Sequence, residues 1–304
     1  MKIRHTLLAS SLALALLNLA ACSSAPQAAA PPAPAAQQTA AAKAAGAAYD
    51  FDMDVFHPVV AHHGMVATEQ ALASQIGLNI LKGGGNAVDA AVAIGFALAV
   101  ALPNAGNLGG GGFMMVYNAK TGKSVALDFR EMAPRAATRD MYLDAKGNVV
   151  DGKSLYTHYA VGVPGTVAGM EHALKTWGTM PLAKVVAPAA ALAEQGYPVS
   201  ETLAKVLLQT KKTMGQWPAT QAIFWKNGEP LKAGDLLVQK DLAASMRLIG
   251  SEGAKAFYEG AIATRIAAEM ASHKGALTLE DLHSYKVVER EPTRGTYRGY
   301  EIVT

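Results

Sequence analysis

A single cysteine in 304 residues, Cys22, excludes an intramolecular disulfide and any cysteine-rich metal cluster, so packing must hold the chain together. Charge is sparse too. Only 17% of residues are charged, and Lys plus Arg outnumber Asp plus Glu by just 27 to 24. Without a basic field, nucleic acid is not an expected partner. The longest apolar runs, Leu7–Ala21 and Ala87–Leu102, fall short of the roughly 20 residues that cross a bilayer comfortably. What the chain does have is 51% hydrophobic residues, enough for a sizeable core in one large domain or two small ones.

Lys2 and Arg4 precede the first apolar run, a pattern that reads as a secretory leader over residues 1–21. Leu19-Ala20-Ala21-Cys22 resembles a bacterial lipobox, in which the cysteine becomes the acylated first residue of the mature protein. Cys22 is therefore the expected lipidation site, each buried acyl CH₂ contributing about 0.8 kcal/mol to membrane attachment. The plainer alternative is an ordinary leader with an idle cysteine. Ser23 and Ser24, with no aspartate after the cysteine, lean towards the periplasmic side of the outer membrane. Residues 25–48 are almost wholly Ala, Pro and Gln, so the stretch 22–50 reads as a tether.

From Met65 onward, helical and strand-like segments alternate. Glu69–Lys82 carries apolar residues at mainly helical spacing and meets a stop at Gly83–Gly85. Ala87–Leu102 is apolar nearly all round, the signature of a helix buried between layers, with Asn86 and Asp89 placed to cap it. Phe113–Tyr117 and Val125–Phe129 are short enough to be strands of a buried sheet, joined by a turn at Thr121-Gly122. Pro164 and Pro181 suit the first turns of helices reaching Trp177 and Glu194. Further helices are expected near 200–211, 238–250 and 260–273, and a short one capped by Thr278; strands should occupy 285–290 and 297–303. Helical layers around a sheet define an α/β sandwich.

Four consecutive glycines, Gly109–Gly112, lead into the two strands, and the second strand ends at Arg130. An arginine fork grips a carboxylate bidentately and keeps its charge at any working pH, which suits a site for an anionic substrate end. On residue type alone, an ion pair with Glu131 or Asp128 is the simpler reading. The glycine run lacks the G-x-G-x-x-G spacing that opens a nucleotide-binding helix, so its glycines are read as structural. His62 and His63 are adjacent and point in different directions, which argues against a shared metal.

Four motifs occur in order: Gly83-Gly84-Gly85-Asn86-Ala87-Val88-Asp89-Ala90-Ala91-Val92-Ala93, Asn107-Leu108-Gly109-Gly110-Gly111-Gly112-Phe113-Met114, Asp128-Phe129-Arg130-Glu131-Met132-Ala133-Pro134 and Gly162-Val163-Pro164-Gly165-Thr166-Val167-Ala168-Gly169. Together they resemble the large subunit of a gamma-glutamyltranspeptidase (glutathione hydrolase). The likeness continues through Gly178-Thr179-Met180-Pro181-Leu182, Ala222-Ile223-Phe224-Trp225-Lys226 and Tyr297-Arg298-Gly299-Tyr300, and the large-subunit region is taken as 51–304.

The resemblance implies a four-layer αββα sandwich of the N-terminal nucleophile hydrolase type. It also implies a precursor that cuts itself to free a threonine at the start of a small subunit; that threonine attacks the γ-glutamyl carbonyl with its own amine as base. Arg130 takes the position that pairs with the substrate α-carboxylate, which reverses the ion-pair reading above. No cofactor or metal is implied. The expected partners are glutathione and related γ-glutamyl compounds, the small subunit, and a membrane through the lipid anchor. The nucleophile motif is expected beyond Thr304, the chain reading as an inactive piece truncated before it. Thr157-His158 imitates that motif but sits inside a large-subunit stretch, where the likeness is accidental. Two other readings remain: a glutaryl- or cephalosporin-type acylase of the same superfamily, and a non-catalytic lipoprotein that binds amino acids or peptides.

Overall fold

The computed structural model describes residues 60–304; the leader, Cys22 and the Ala/Pro-rich tether lie outside the described residues. Helix α1 (Ala71–Lys82) ends where Gly84 takes φ +87°, letting Gly85 N–H reach Ile80 O at 3.0 Å and Gly84 N–H reach Leu81 O at 3.1 Å. Helix α2 (Ala87–Ala101) follows directly. Nine of its 15 residues are buried, Val92, Ala93 and Phe96 completely, so the all-round apolar pattern does mark a core helix. Burial of Phe96 alone contributes about 2–3 kcal/mol. Around it pack α1, α3 (Thr166–Trp177) and α4 (Leu182–Gln195), and α4 in turn carries α6 (Lys240–Glu252), with α5 (Glu201–Gln209) between them in sequence. No described helix is long and apolar enough to cross a membrane.

Both ends of α2 are tied down by polar side chains. At its start, Asn86 Oδ1 accepts from the N–H groups of Val88 and Asp89, and Asp89 Oδ2 accepts from Asn86 N–H at 2.7 Å. Asn86 Nδ2 also donates to Trp177 O at 2.7 Å, the last residue of α3. The fully buried Asp89 further accepts from Thr179 N–H (2.8 Å), Thr179 Oγ1 (2.6 Å) and Met180 N–H (3.0 Å). One carboxylate thus joins the start of α2 to the turn between α3 and α4. At the other end, Val100 O accepts from Tyr197 Oη at 2.8 Å and Gln239 Nε2 at 2.9 Å, satisfying a carbonyl that the helix cannot.

The main sheet has three antiparallel strands, β1 (Phe113–Asn118), β2 (Lys123–Asp128) and β3 (Val288–Arg290), with β2 in the centre. Register pairs Met114 with Leu127 and Val116 with Val125 on the face towards the helices. The other face differs from the buried sheet expected: Phe113, Met115, Tyr117 and Val288 are 64%, 44%, 67% and 42% exposed. Residues 61–304 therefore form a mixed α/β unit whose main sheet is covered on one side.

Helices α7 (Ala261–Ser272) and α8 (Leu279–Ser284) complete the core, α8 beginning with the Thr278–Asp281 capping box that its sequence implies. Pro164 and Pro181 stand just before α3 and α4, in the cap region, and not within their first turns as expected. Residues 297–303 are not one strand. Positive φ at Arg298 (51°) and Gly299 (84°) folds β4 (Arg294–Tyr297) back on β5 (Tyr300–Val303) as a hairpin.

Burial pushes the Asp89 carboxyl up, but the Thr179 hydroxyl and three backbone N–H donors outweigh it and hold the group below the usual carboxylate range. A group depressed in this way stabilises the fold above about pH 4, and that stabilisation is lost as pH falls through the folded value. Asp89→Asn turns an amide donor towards four donors and should cost about 3 kcal/mol in urea unfolding at neutral pH, the gap to wild type narrowing below about pH 4. A pH-independent gap would contradict the ionised network.

Candidate active site

Pairing of β1 with β2 runs on past the strand ends, Phe129 N–H reaching Gly112 O at 3.0 Å and Gly112 N–H reaching Phe129 O at 3.3 Å. This ladder brings the glycine run against the residues before Arg130. Helix α3 then docks onto the same backbone. Gly165 and Thr166 N–H both donate to Gly110 O (2.7 and 3.0 Å), and the missing side chains of Gly165 and Gly169 leave room for Phe129; a Cβ at either would overlap it. Across the next residues Met132 and Val163 exchange both backbone hydrogen bonds, at 3.1 and 2.8 Å.

The Arg130 backbone is gripped on both sides: its N–H donates to Asp128 Oδ1 at 3.0 Å, and its carbonyl accepts from Tyr285 Oη at 2.9 Å. Tyr285 stacks on Tyr258, ring centroids 5.7 Å apart, and Tyr258 Oη donates to Pro164 O at 2.9 Å. Burial first, then the charges of Asp128 and Glu131, push the Tyr285 hydroxyl up to about 12, so it remains a donor throughout the neutral range. Neither tyrosine stands in a motif, and reading the sequence alone missed both.

Arg130 itself is exposed and lines a cavity of about 500 Å³, within the range of small-molecule sites. Its walls are the loop Asn107–Gly110, the segment Arg130–Pro134 with Met141 and Tyr142, and the stretch Tyr159–Gly162. Tyr142 Oη donates to Tyr159 O at 3.2 Å and ties two of those walls together. Asp128, the simplest ion-pair partner for Arg130, is taken instead by Arg290, whose Nε donates to Oδ2 at 2.8 Å. The Arg130 N–H is the leading reason the Asp128 carboxyl sits below its ordinary value; the Arg290 side chain adds to it, and the Arg130 charge does so more weakly. Among the described residues the Arg130 guanidinium has no ion pair within 4 Å.

Thr157 is no free nucleophile: its hydroxyl donates to Lys153 O at 2.6 Å and accepts from Tyr159 N–H at 3.2 Å, capping a short 3₁₀ turn, His158–Ala160. His62 and His63 are both exposed. Cys22 lies outside the described residues.

The family model for gamma-glutamyltranspeptidase matches residues 73–304. The chain is 54% identical over 260 residues to a glutathione hydrolase proenzyme of Escherichia coli (strain K12), a match covering 85% of this chain and 45% of that one. It is 39% identical over 252 residues to an acylase ACY 1 proenzyme of Pseudomonas sp. (strain V22), covering 81% and 45%. Among solved structures, Helicobacter pylori gamma-glutamyltranspeptidase superposes with a TM-score of 0.80 at 47% identity, over 81% of this chain and 71% of that one. The chain belongs to the gamma-glutamyltranspeptidase family, and it spans less than half the length of the curated relatives it matches.

The seat of α3 on the Arg130 segment makes a direct demand. Gly165→Ala should lower stability by about 2–3 kcal/mol, because the new methyl meets the Phe129 carbonyl and the Tyr285 hydroxyl and neither can withdraw freely. A wild-type urea midpoint for this variant would show that the helix is not seated against that backbone.

Proposed function

We propose that this chain is the large-subunit region of a γ-glutamyltransferase and glutathione hydrolase. In this reading Arg130 holds the α-carboxylate of the γ-glutamyl group. A threonine freed by self-cleavage attacks the γ-carbonyl with its own α-amine accepting the hydroxyl proton; the γ-glutamyl amide C–N bond breaks, and the departing amine, cysteinylglycine from glutathione, takes that proton. The acyl-enzyme then passes to water or to an amino-acid or peptide acceptor. In this reading the attacking threonine lies in the part of the precursor outside this chain, for which a match covering 45% of the Escherichia coli relative leaves room. The carrying observation is that Arg130 lines the 500 Å³ cavity without an ion-pair partner among the described residues, while Arg290 occupies Asp128. A cation left unpaired beside a cavity retains its full attraction for a carboxylate.

The exposed face formed by Phe113, Met115, Tyr117 and Val288 supports the finer fold assignment. An apolar sheet face is what a second sheet covers in an αββα sandwich, and the small subunit would supply that second sheet. The acylase reading draws on the 39% identity to an acylase proenzyme. Glutaryl-type substrates lack the α-amine of a γ-glutamyl group, so in this reading the residues that discriminate the two belong to the small subunit.

By the same proposal residues 1–21 are a lipoprotein leader and Cys22 anchors the protein to the envelope membrane, with residues 22–50 as tether. Cys22→Ser should move the protein from the membrane fraction to the soluble periplasmic extract; persistence with membranes would refute lipidation. For the site, a bidentate charge-assisted pair is worth about 1.5–3 kcal/mol, so Arg130→Lys in the complete enzyme should raise KM for glutathione about 10- to 100-fold while self-cleavage proceeds. An unchanged KM would overturn the assignment of Arg130.

A further inference from the structure

We infer that His158, Glu269 and His273 form a binding site for a borderline divalent metal ion, zinc above all, that clips the C-terminus of α7 to one wall of the Arg130 cavity. Each of the three offers a ligand atom, and the three atoms lie within 4.8 Å of one another. Glu269 Oε1 is 3.4 Å from His158 Nε2 and 3.1 Å from His273 Nδ1. Zinc bonds of about 2.0–2.2 Å set tetrahedral ligand atoms about 3.3 Å apart, so two edges of the triangle already have the span that an ion requires. The third edge has at most about 1.5 Å to close, and because the two rings stack nearly parallel, the exposed His273 must also turn so that its in-plane lone pair meets the ion.

The cluster is assembled by the fold. Glu269 and His273 are four residues apart at the end of α7 and so share a face, while His158 arrives from a segment more than a hundred residues earlier. The two imidazoles lie nearly parallel, centroids 4.3 Å apart and planes 6° off. Trp217 stands edge-on to both, at 5.3 and 6.1 Å, and walls one side. Backbone geometry holds both halves. Thr157 caps the turn that carries His158, and α7 ends in a turn with Lys274 at φ +57° and Gly275 N–H bonded to Met270 O at 2.7 Å. Gly275 packs against the His158 Cβ and carbonyl.

Ser272 Oγ donates to Glu269 O at 2.8 Å and lies 2.8 Å from His273 Nδ1, so its lone pair faces the nitrogen's proton; that Nδ1 is also 3.2 Å from Glu269 O. A metal would take the proton's place at Nδ1, with the ring proton moving to Nε2. Two imidazoles and one carboxylate select zinc, nickel or copper over calcium or magnesium. Three protein ligands leave a fourth position for water. Because Tyr159, Ala160 and Gly162 line the Arg130 cavity directly after His158, the ion would stiffen that wall. The inference stands independently of the γ-glutamyl reading.

Isothermal titration of the metal-stripped full-length protein with zinc chloride tests it, alongside nickel quenching of Trp217 emission. One zinc equivalent should bind in wild type. His158→Ala, His273→Ala and the near-isosteric Glu269→Gln should each weaken binding at least about tenfold, with circular dichroism confirming the fold. His172→Ala, whose imidazole contacts Glu289 at 2.7 Å on another face, should bind as wild type does. Nickel should quench emission in wild type, and Trp217→Phe should remove the quenched component while zinc affinity persists. No zinc binding up to about 100 µM, or equal affinity in folded His158→Ala and His273→Ala, would overturn the assignment.

Discussion

Everything around the cavity depends on one close approach: the N-terminus of α3 lies directly on Phe129, Gly165 against its carbonyl and Gly169 against its ring. Gly165 and Gly169 permit it, and Gly110 O receives the first N–H groups of the helix. That contact fixes α3 against the strand end that leads to Arg130. It also pairs Met132 with Val163, turning two distant segments into facing walls. With the backbone of Arg130 held by Asp128 and Tyr285, the long side chain is the part left to answer a ligand. A stiff support under a charged fork limits the entropy lost when it grips a carboxylate.

Asp89 plays the corresponding role for the helical core. A buried carboxylate without partners would be prohibitive, and here four donors from two parts of the chain converge on its two oxygens. The result is a polar rivet between α2, α3 and α4 that apolar packing alone could not orient, since Ala-rich faces slide against one another with little preference. Val100 O, receiving Tyr197 and Gln239, does the same at the far end of α2.

Much of this is legible in the residues themselves. The core helix, the glycine stop before it, the Thr278 capping box and the Thr121-Gly122 turn all carry local signals and occur where expected. Local chemistry also makes the hairpins at Asn227-Gly228 and Arg298-Gly299, where both residues of each pair take positive φ; in the second, the apolar residues that follow mask the turn signal, so 297–303 reads as one strand. The exposed face of β1 was not legible, because alternation in Phe113–Tyr117 is hidden when both faces carry apolar residues. Tyr258 and Tyr285 left no trace either: a lone tyrosine announces nothing until the fold shows which carbonyl its hydroxyl reaches.

The amino-acid sequence by itself determined the long helices, the Thr278 cap, the glycine stop and the motif order that marks the family, because each follows from neighbours within a few positions; residue type alone left Arg130 an ion pair, and the motif around it singled it out. Only the tertiary structure decided that Arg290 and not Arg130 takes Asp128 and that His158 meets Glu269 and His273. Those outcomes join residues 111 to 162 positions apart, as His158–Glu269 and Asp128–Arg290 do. Such pairings are set by how helices and strands pack, and no local pattern encodes them.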